Sequence, residues 1–106
     1  MTNTIAITHH ARTRQSQRNL TDDEVMFVLE HGRQLRSGGA LHIFLGRRDI
    51  PANEALRRRY QHLEGAVLVV DDTSDQPVLI TVYRNRRGLK DIRSKAKYGY
   101  RHDTRW

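Results

Sequence analysis

The sequence predicts an α+β domain in which two N-terminal helices pack on a small antiparallel sheet of three to four strands. Three observations predict it. A capped amphipathic segment lies at about residues 22–31, and apolar runs of strand length follow it at 40–45, 66–70 and 78–83. The chain order is helix, helix, strand, short helix, strand, strand, so the helices share one face of a sheet built by the strands behind them.

Taken in order, Ile5-Ala6-Ile7 opens the chain and is followed by a polar stretch through Arg18 with no Gly or Pro inside, which reads as a short helix. The second helix has clear punctuation. Thr21 and Glu24 form a capping box, Leu20 and Val25 a hydrophobic staple, and Asp22 and Asp23 suit the positive end of the helix dipole. Val25, Val28 and Leu29 give the apolar stripe, and Gly32 is expected to stop the helix in a left-handed conformation. Gly38-Gly39 marks a turn before the strand at 40–45, where Leu41, Ile43 and Leu45 share a face and His42 and Phe44 share the other. Pro51 is expected at the first position of a short helix reaching about Tyr60. Residues 66–70 form a near-continuous apolar run suited to a strand buried on both faces. Residues 72–77 are loop chemistry, so the strand at 78–83 is expected to return antiparallel. The domain is expected to span residues 1–87, with a basic tail at 88–106, partly docked or flexible.

The chain has 106 residues, 37% hydrophobic and 29% charged, which fits one domain with a modest core. It holds no cysteine, so disulfide scaffolds, thiolate nucleophiles and cysteine-ligated metal centres are excluded. No apolar run approaches a membrane span, and residues 1–4 lack the plan of a secretory signal, so no membrane association and a cytoplasmic location are expected. Walker, Rossmann, nucleophile-elbow and zincin motifs are absent, and no cofactor is expected.

Charge is distributed unevenly. Residues 1–83 contain ten basic and ten acidic side chains, whereas residues 84–106 contain nine Lys or Arg and two Asp, so the net +7 lies at the C-terminal end. Tyr83, Tyr98, Tyr100 and Trp106 are interleaved with it. Basic chain with interleaved aromatics suits a phosphate backbone, which makes RNA or another nucleic acid the expected partner. Arg86, Arg87, Lys90, Arg93, Lys95 and Lys97 are the candidate binding residues.

His10-Ala11-x-x-Arg14-x-x-x-Arg18, the capped second helix, the Leu-Glu-Gly segment leading into Val-Leu-Val-Val-Asp, and Ile80-Thr81-Val82-Tyr83-Arg84 together resemble a family catalogued as a domain of unknown function, number 4258. The likeness covers about residues 5–98. That family is similar in layout to the RelE- and BrnT-type toxins, small ribonucleases of bacterial toxin–antitoxin pairs. The resemblance implies a RelE-like arrangement of two helices on a sheet, RNA cleavage as the enzymatic candidate, and an acidic antitoxin as partner.

The residues themselves admit that chemistry. His10, Arg14 and Arg18 recur at i, i+4 and i+8, so a helix places them on one side. Metal-free RNA cleavage needs a group that moves the 2′-hydroxyl proton and cations that meet the charge growing on phosphorus. One histidine and two guanidinium groups satisfy that minimum. The competing reading is a stripe that pairs with carboxylates or lays its stems on the sheet. Tyr83 and Arg84, ending the last strand, are candidates for base stacking or proton donation and for phosphate binding. His9 and His10 diverge by about 100° on a helix and do not chelate one metal together. His42 reads as a half-exposed structural histidine, with a groove residue as the lesser alternative, and Arg57-Arg58-Arg59 as solvated surface. Asp71-Asp72 reads as a turn-forming pair. No metal site is assigned.

Three functions are consistent with these features: a metal-independent ribonuclease using His10, Arg14, Arg18, Tyr83 and Arg84; a non-catalytic nucleic-acid-binding module; and a protein-interaction domain that docks its basic tail on an acidic partner. Homodimerisation is compatible with a chain of this size.

Overall fold

A computed structural model describes residues 5–85. The expected tail at 88–106, and with it Arg86, Arg87, Lys90, Arg93, Lys95 and Lys97, lies outside the described residues. The described chain is an α+β domain with three α-helices and a five-stranded mixed, open sheet in the order β1-β5-β4-β3-β2. These strands are β1 (Ala6–Ile7), β2 (Arg33–Ser37), β3 (Ala40–Phe44), β4 (Ala66–Asp71) and β5 (Val78–Arg84). The helices are α1 (His9–Gln17), α2 (Asp22–His31) and α3 (Glu54–Tyr60).

The sheet has five strands where three to four were expected, and β1 and β2 are the two that the sequence did not mark as strands. Strand β1 is a two-residue edge that pairs parallel to β5, Ala6 opposite Val78 and Ile7 opposite Leu79, so the sheet is mixed. Strand β2 is polar in sequence because it is the other edge and exposes Arg33, Gln34 and Arg36, which hides the alternation that identifies a half-buried strand. Its pairing is fixed by the turn. Gly38 and Gly39 both take positive φ, 62° and 81°, the geometry of a tight two-residue hairpin loop, and set Ser37 opposite Ala40 and Arg33 opposite Phe44.

Helix α2 begins as expected: the Thr21 side chain accepts from the Glu24 amide and the Glu24 carboxylate accepts from the Thr21 amide. Its end differs from the expectation. Gly32 is extended, with φ −70° and ψ 158°, and is needed for room instead of for handedness. A Cβ there would lie 2.6 Å from the Ile43 side chain and 2.7 Å from the Val28 carbonyl oxygen. Helix α3 also starts later than expected. Asn53 is its cap, accepting from the Leu56 amide, and Pro51 precedes it in the connection that follows a 3-10 turn over Arg47–Asp49.

Helix α1 is anchored by Thr8, whose hydroxyl accepts from the Ala11 amide and lies 3.2 Å from the carbonyl oxygens of both Leu79 and Ile80. Those carbonyls sit at a β-bulge. Val69 faces Thr81 but Val70 faces Leu79, so Ile80 is the extra residue on β5. The N-cap of α1 thus meets backbone groups where the β4–β5 ladder is interrupted.

Helices and sheet enclose the main core: Ala11 from α1, Val25 and Val28 from α2, and Ile43, Leu68, Val70, Leu79 and Val82 from the sheet. Phe27 stacks on Tyr60 with ring centroids 3.8 Å apart, joining α2 to α3. The opposite sheet face carries a smaller cluster of Phe44 and Val67, with Leu35 and Tyr83 packed against it. Buried side chains on both faces explain the continuous apolar reading of β4. No helix among the described residues is long and apolar enough to cross a membrane.

Candidate functional site

Along α1 the residue spacing has the expected consequence. Ala11 and Gln15 turn inward and are buried, while His10 and Arg18 are exposed and Arg14 is half-buried beside them. Arg18 is the C-cap residue, its amide bonding the Arg14 carbonyl, so the i, i+4, i+8 series runs to the end of the helix. Arg14 reaches Gln17 at 3.3 Å, and neither Arg14 nor Arg18 has a carboxylate partner among the described residues. The His10 ring has no hydrogen-bond partner among them either.

The last strand divides the other two predicted residues. Val82 and Arg84 point to the helix-covered face, whereas Tyr83 points to the opposite face and packs with Phe44 and Val67. Tyr83 is therefore not brought to the side that α1 and α2 occupy. Arg84 is, but its partner there is unexpected. Its Nη1 donates to the His62 carbonyl, in the 3-10 turn over Gln61–Leu63 that follows α3.

His62 opens a second constellation that sequence reasoning passed over. Its Nε2 lies 2.5 Å from Glu24 Oε2, while Glu24 Oε1 holds the Thr21 amide at 2.8 Å. One carboxylate thus caps α2 and engages an imidazole 38 positions away. Partial burial opposes ionisation of Glu24, but the Thr21 amide and His62 outweigh it and hold the carboxyl below its usual range. Neighbouring contacts gather α1, α2 and α3 around this corner. Asp22 Oδ1 accepts from Gln15 Nε2 at 2.7 Å and from Arg12 Nη1 at 2.8 Å, and these bonds hold the Asp22 carboxyl below its usual range. Arg59 stands 3.8 Å from Asp23 and above the Tyr60 ring. The only sequence signal for His62 was its place just after a helix end; its partner was visible solely as half of a capping box.

A second basic group lies away from α1. Arg47, Ile50, Arg57, Gln61 and Glu64 line a cleft of about 250 Å³. Arg47, Arg48 and Arg57 have no ion-pair partner among the described residues, whereas Arg33, Arg36 and Arg58 are paired with Asp49, Asp72 and Glu54. The balanced formal charge of residues 1–83 therefore separates into paired arginines and a set without carboxylate partners. Asp71 accepts from the amide and hydroxyl of Thr73, a local turn contact, and Asp72 is bound to Arg36. Among the described residues, no three His, Asp or Glu side chains are placed to hold a metal ion. His42 lies on the second face of β3, in register with Leu35 and Val69.

A sequence profile of the family described as Domain of unknown function (DUF4258) matches residues 7–84. The chain belongs to this family. The match runs from β1 to the end of β5, so it includes the α1 stripe, the Glu24–His62 pair and Arg84. No curated protein and no solved structure matches the chain.

Proposed function

We propose that this DUF4258 chain binds RNA through its phosphodiester backbone and cleaves it without a metal ion, as a small ribonuclease of the RelE/BrnT kind. The observation that carries this reading is the set of guanidinium groups without carboxylate partners among the described residues: Arg14 and Arg18 on α1, Arg47 and Arg57 lining the cleft, and the exposed Arg48 next to Arg47 in the 3-10 turn. An arginine paired to a carboxylate contributes little to anion binding; one that is unpaired offers a planar fork of donors to phosphate. The net +7 of the whole chain adds a field that favours the same ligand. As a toxin it would have an acidic protein for its antitoxin, with carboxylates meeting the same arginines.

The test is a fluorescence-anisotropy titration of a labelled single-stranded RNA, repeated over a range of salt, followed by gel analysis of the same RNA in the presence of chelator. The expected result is affinity that falls steeply with salt, by about 0.7 in log–log slope for each phosphate neutralised, and chelator-resistant fragments ending in a 2′,3′-cyclic phosphate. Salt-sensitive binding with intact RNA would replace the enzyme by a non-catalytic binding module. Absence of affinity even at low salt would remove nucleic acid as the ligand and favour an acidic protein partner.

A further inference from the structure

Any base that removes a 2′-hydroxyl proton needs a free ring nitrogen, a fixed orientation and a partner for the charge it acquires. His10 has solvent access but nothing among the described residues to orient it. His62 has all three. Its side chain is 52% exposed, whereas that of Glu24 is only 14% exposed, so the carboxylate is shielded behind an open imidazole. An ionised carboxylate can only accept, so the proton between them belongs to His62 Nε2, and Nδ1 is left as the acceptor of the ring. Arg84 uses Nη1 on the His62 carbonyl and keeps its other donors on an exposed side chain.

We infer that Glu24, His62 and Arg84 form an acid–base and phosphate-binding centre for RNA, with His62 as the catalytic base, Arg84 as the phosphate ligand and Glu24 as a positioning residue. The inference rests on the RNA reading above and replaces His10 by His62 in the proton-transfer role. In the step it supports, His62 Nδ1 takes the proton of a ribose 2′-hydroxyl and that oxygen bonds to the adjacent phosphorus. The bond from phosphorus to the 5′ oxygen of the next nucleotide breaks, its electron pair leaving with that oxygen. The imidazolium, stabilised by Glu24, returns its proton to the departing oxygen through water. The products are a 2′,3′-cyclic phosphate and a 5′-hydroxyl, and the proton count closes with no further reactant. Arg84 meets the non-bridging oxygens as charge accumulates on them.

A simple latch between the turn over Gln61–Leu63 and α2 would use the same contacts, so the variants must separate chemistry from structure. Glu24→Gln does this. Gln at this position still accepts from the Thr21 amide and keeps the capping box, but it removes the charge beside His62. The experiment measures kcat and KM for cleavage of a labelled RNA oligonucleotide by the full chain with chelator present, together with RNA affinity and thermal unfolding of each variant. His62→Ala is expected to lose about 10²–10⁴-fold in cleavage rate while retaining RNA binding. Glu24→Gln is expected to stay folded at the assay temperature with a modestly lowered unfolding temperature, and to lose at least about tenfold in kcat while KM and RNA affinity stay unchanged, because the imidazole loses the carboxylate that orients it and balances its charge. A wild-type chain that cleaves, with His62→Ala or a folded Glu24→Gln cleaving with the same kcat, overturns the centre and leaves RNA cleavage standing. A wild-type chain that binds RNA and never cleaves it overturns both.

Discussion

Replacing Gly32 by alanine tests how α2 is set against the sheet. The backbone there has φ −70°, which alanine adopts freely, so conformational entropy alone would favour the change by about 0.4–1 kcal/mol. Space opposes it. The new methyl would stand 2.6 Å from Ile43 Cγ2, 2.7 Å from the Val28 carbonyl oxygen and 3.1 Å from the Phe44 carbonyl oxygen. Two of these three atoms are backbone, and Ile43 is only 2% exposed, so none has an easy way to move. Overpacking of this kind costs about 1–3 kcal/mol, which exceeds the entropic gain and leaves a net loss of about 1–2 kcal/mol. For a domain of this size each kcal/mol lowers the midpoint by about 4–8 °C, so a fall of roughly 4–16 °C is expected in a circular-dichroism melt. Gly38→Asn is the control. That position has φ +62° and open space within 4 Å of where a Cβ would stand, and asparagine tolerates the left-handed hairpin geometry, so little change is expected. A Gly32→Ala midpoint equal to or above that of wild type would refute the steric account and return Gly32 to the role of an ordinary helix end.

Three further outcomes are expected. Thr8→Ala removes the cap of α1 and the hydroxyl that faces the Leu79 and Ile80 carbonyls, and is expected to cost about 1–2 kcal/mol in urea unfolding, with Thr8→Ser retaining most of the stability. Asp22 and Glu24 have carboxyls held below their usual range, so their contributions are complete above about pH 5, beyond the ordinary values of both groups, and are lost as pH falls through the lower folded values. The urea midpoint should therefore hold from pH 7 to 5 and drop below pH 4, and Asp22→Asn should flatten that drop. Arg47→Ala combined with Arg57→Ala is expected to make the salt dependence of RNA binding shallower by about 1.4 in log–log slope if both meet phosphates, and an unchanged slope would remove the cleft from the binding surface.

What the sequence disclosed, and what it hid, follows from the range of the interactions involved. The α2 cap, the α1 stripe, the β4–β5 hairpin and the alternation of β3 are set by residues within a few positions of one another, and each was legible. Strand β2 was hidden because an edge strand need not alternate, and β1 because two residues form a strand only once β5 lies beside them. Pro51 gave a false start because a proline suits a helix's first turn and a connecting segment equally well, and Asn53 supplied the actual cap.

The candidate site shows the same division more sharply. His10, Arg14 and Arg18 announced themselves by periodicity, yet periodicity fixes only that side chains share a direction, not that anything holds them there. Glu24 and His62 had no sequence relationship to read, being 38 positions apart, and Glu24 already had a complete local explanation in its capping box. That explanation and the pairing are compatible because a carboxylate has two oxygens, one for the Thr21 amide and one for the imidazole. The helix cap fixes the carboxylate in place, and a carboxylate so fixed can orient a histidine at little further entropic cost. The basic stripe and the arginines without carboxylate partners among the described residues supply positive charge and nothing that orients a reacting group; an oriented histidine is found where α2, the turn after α3 and the end of β5 meet.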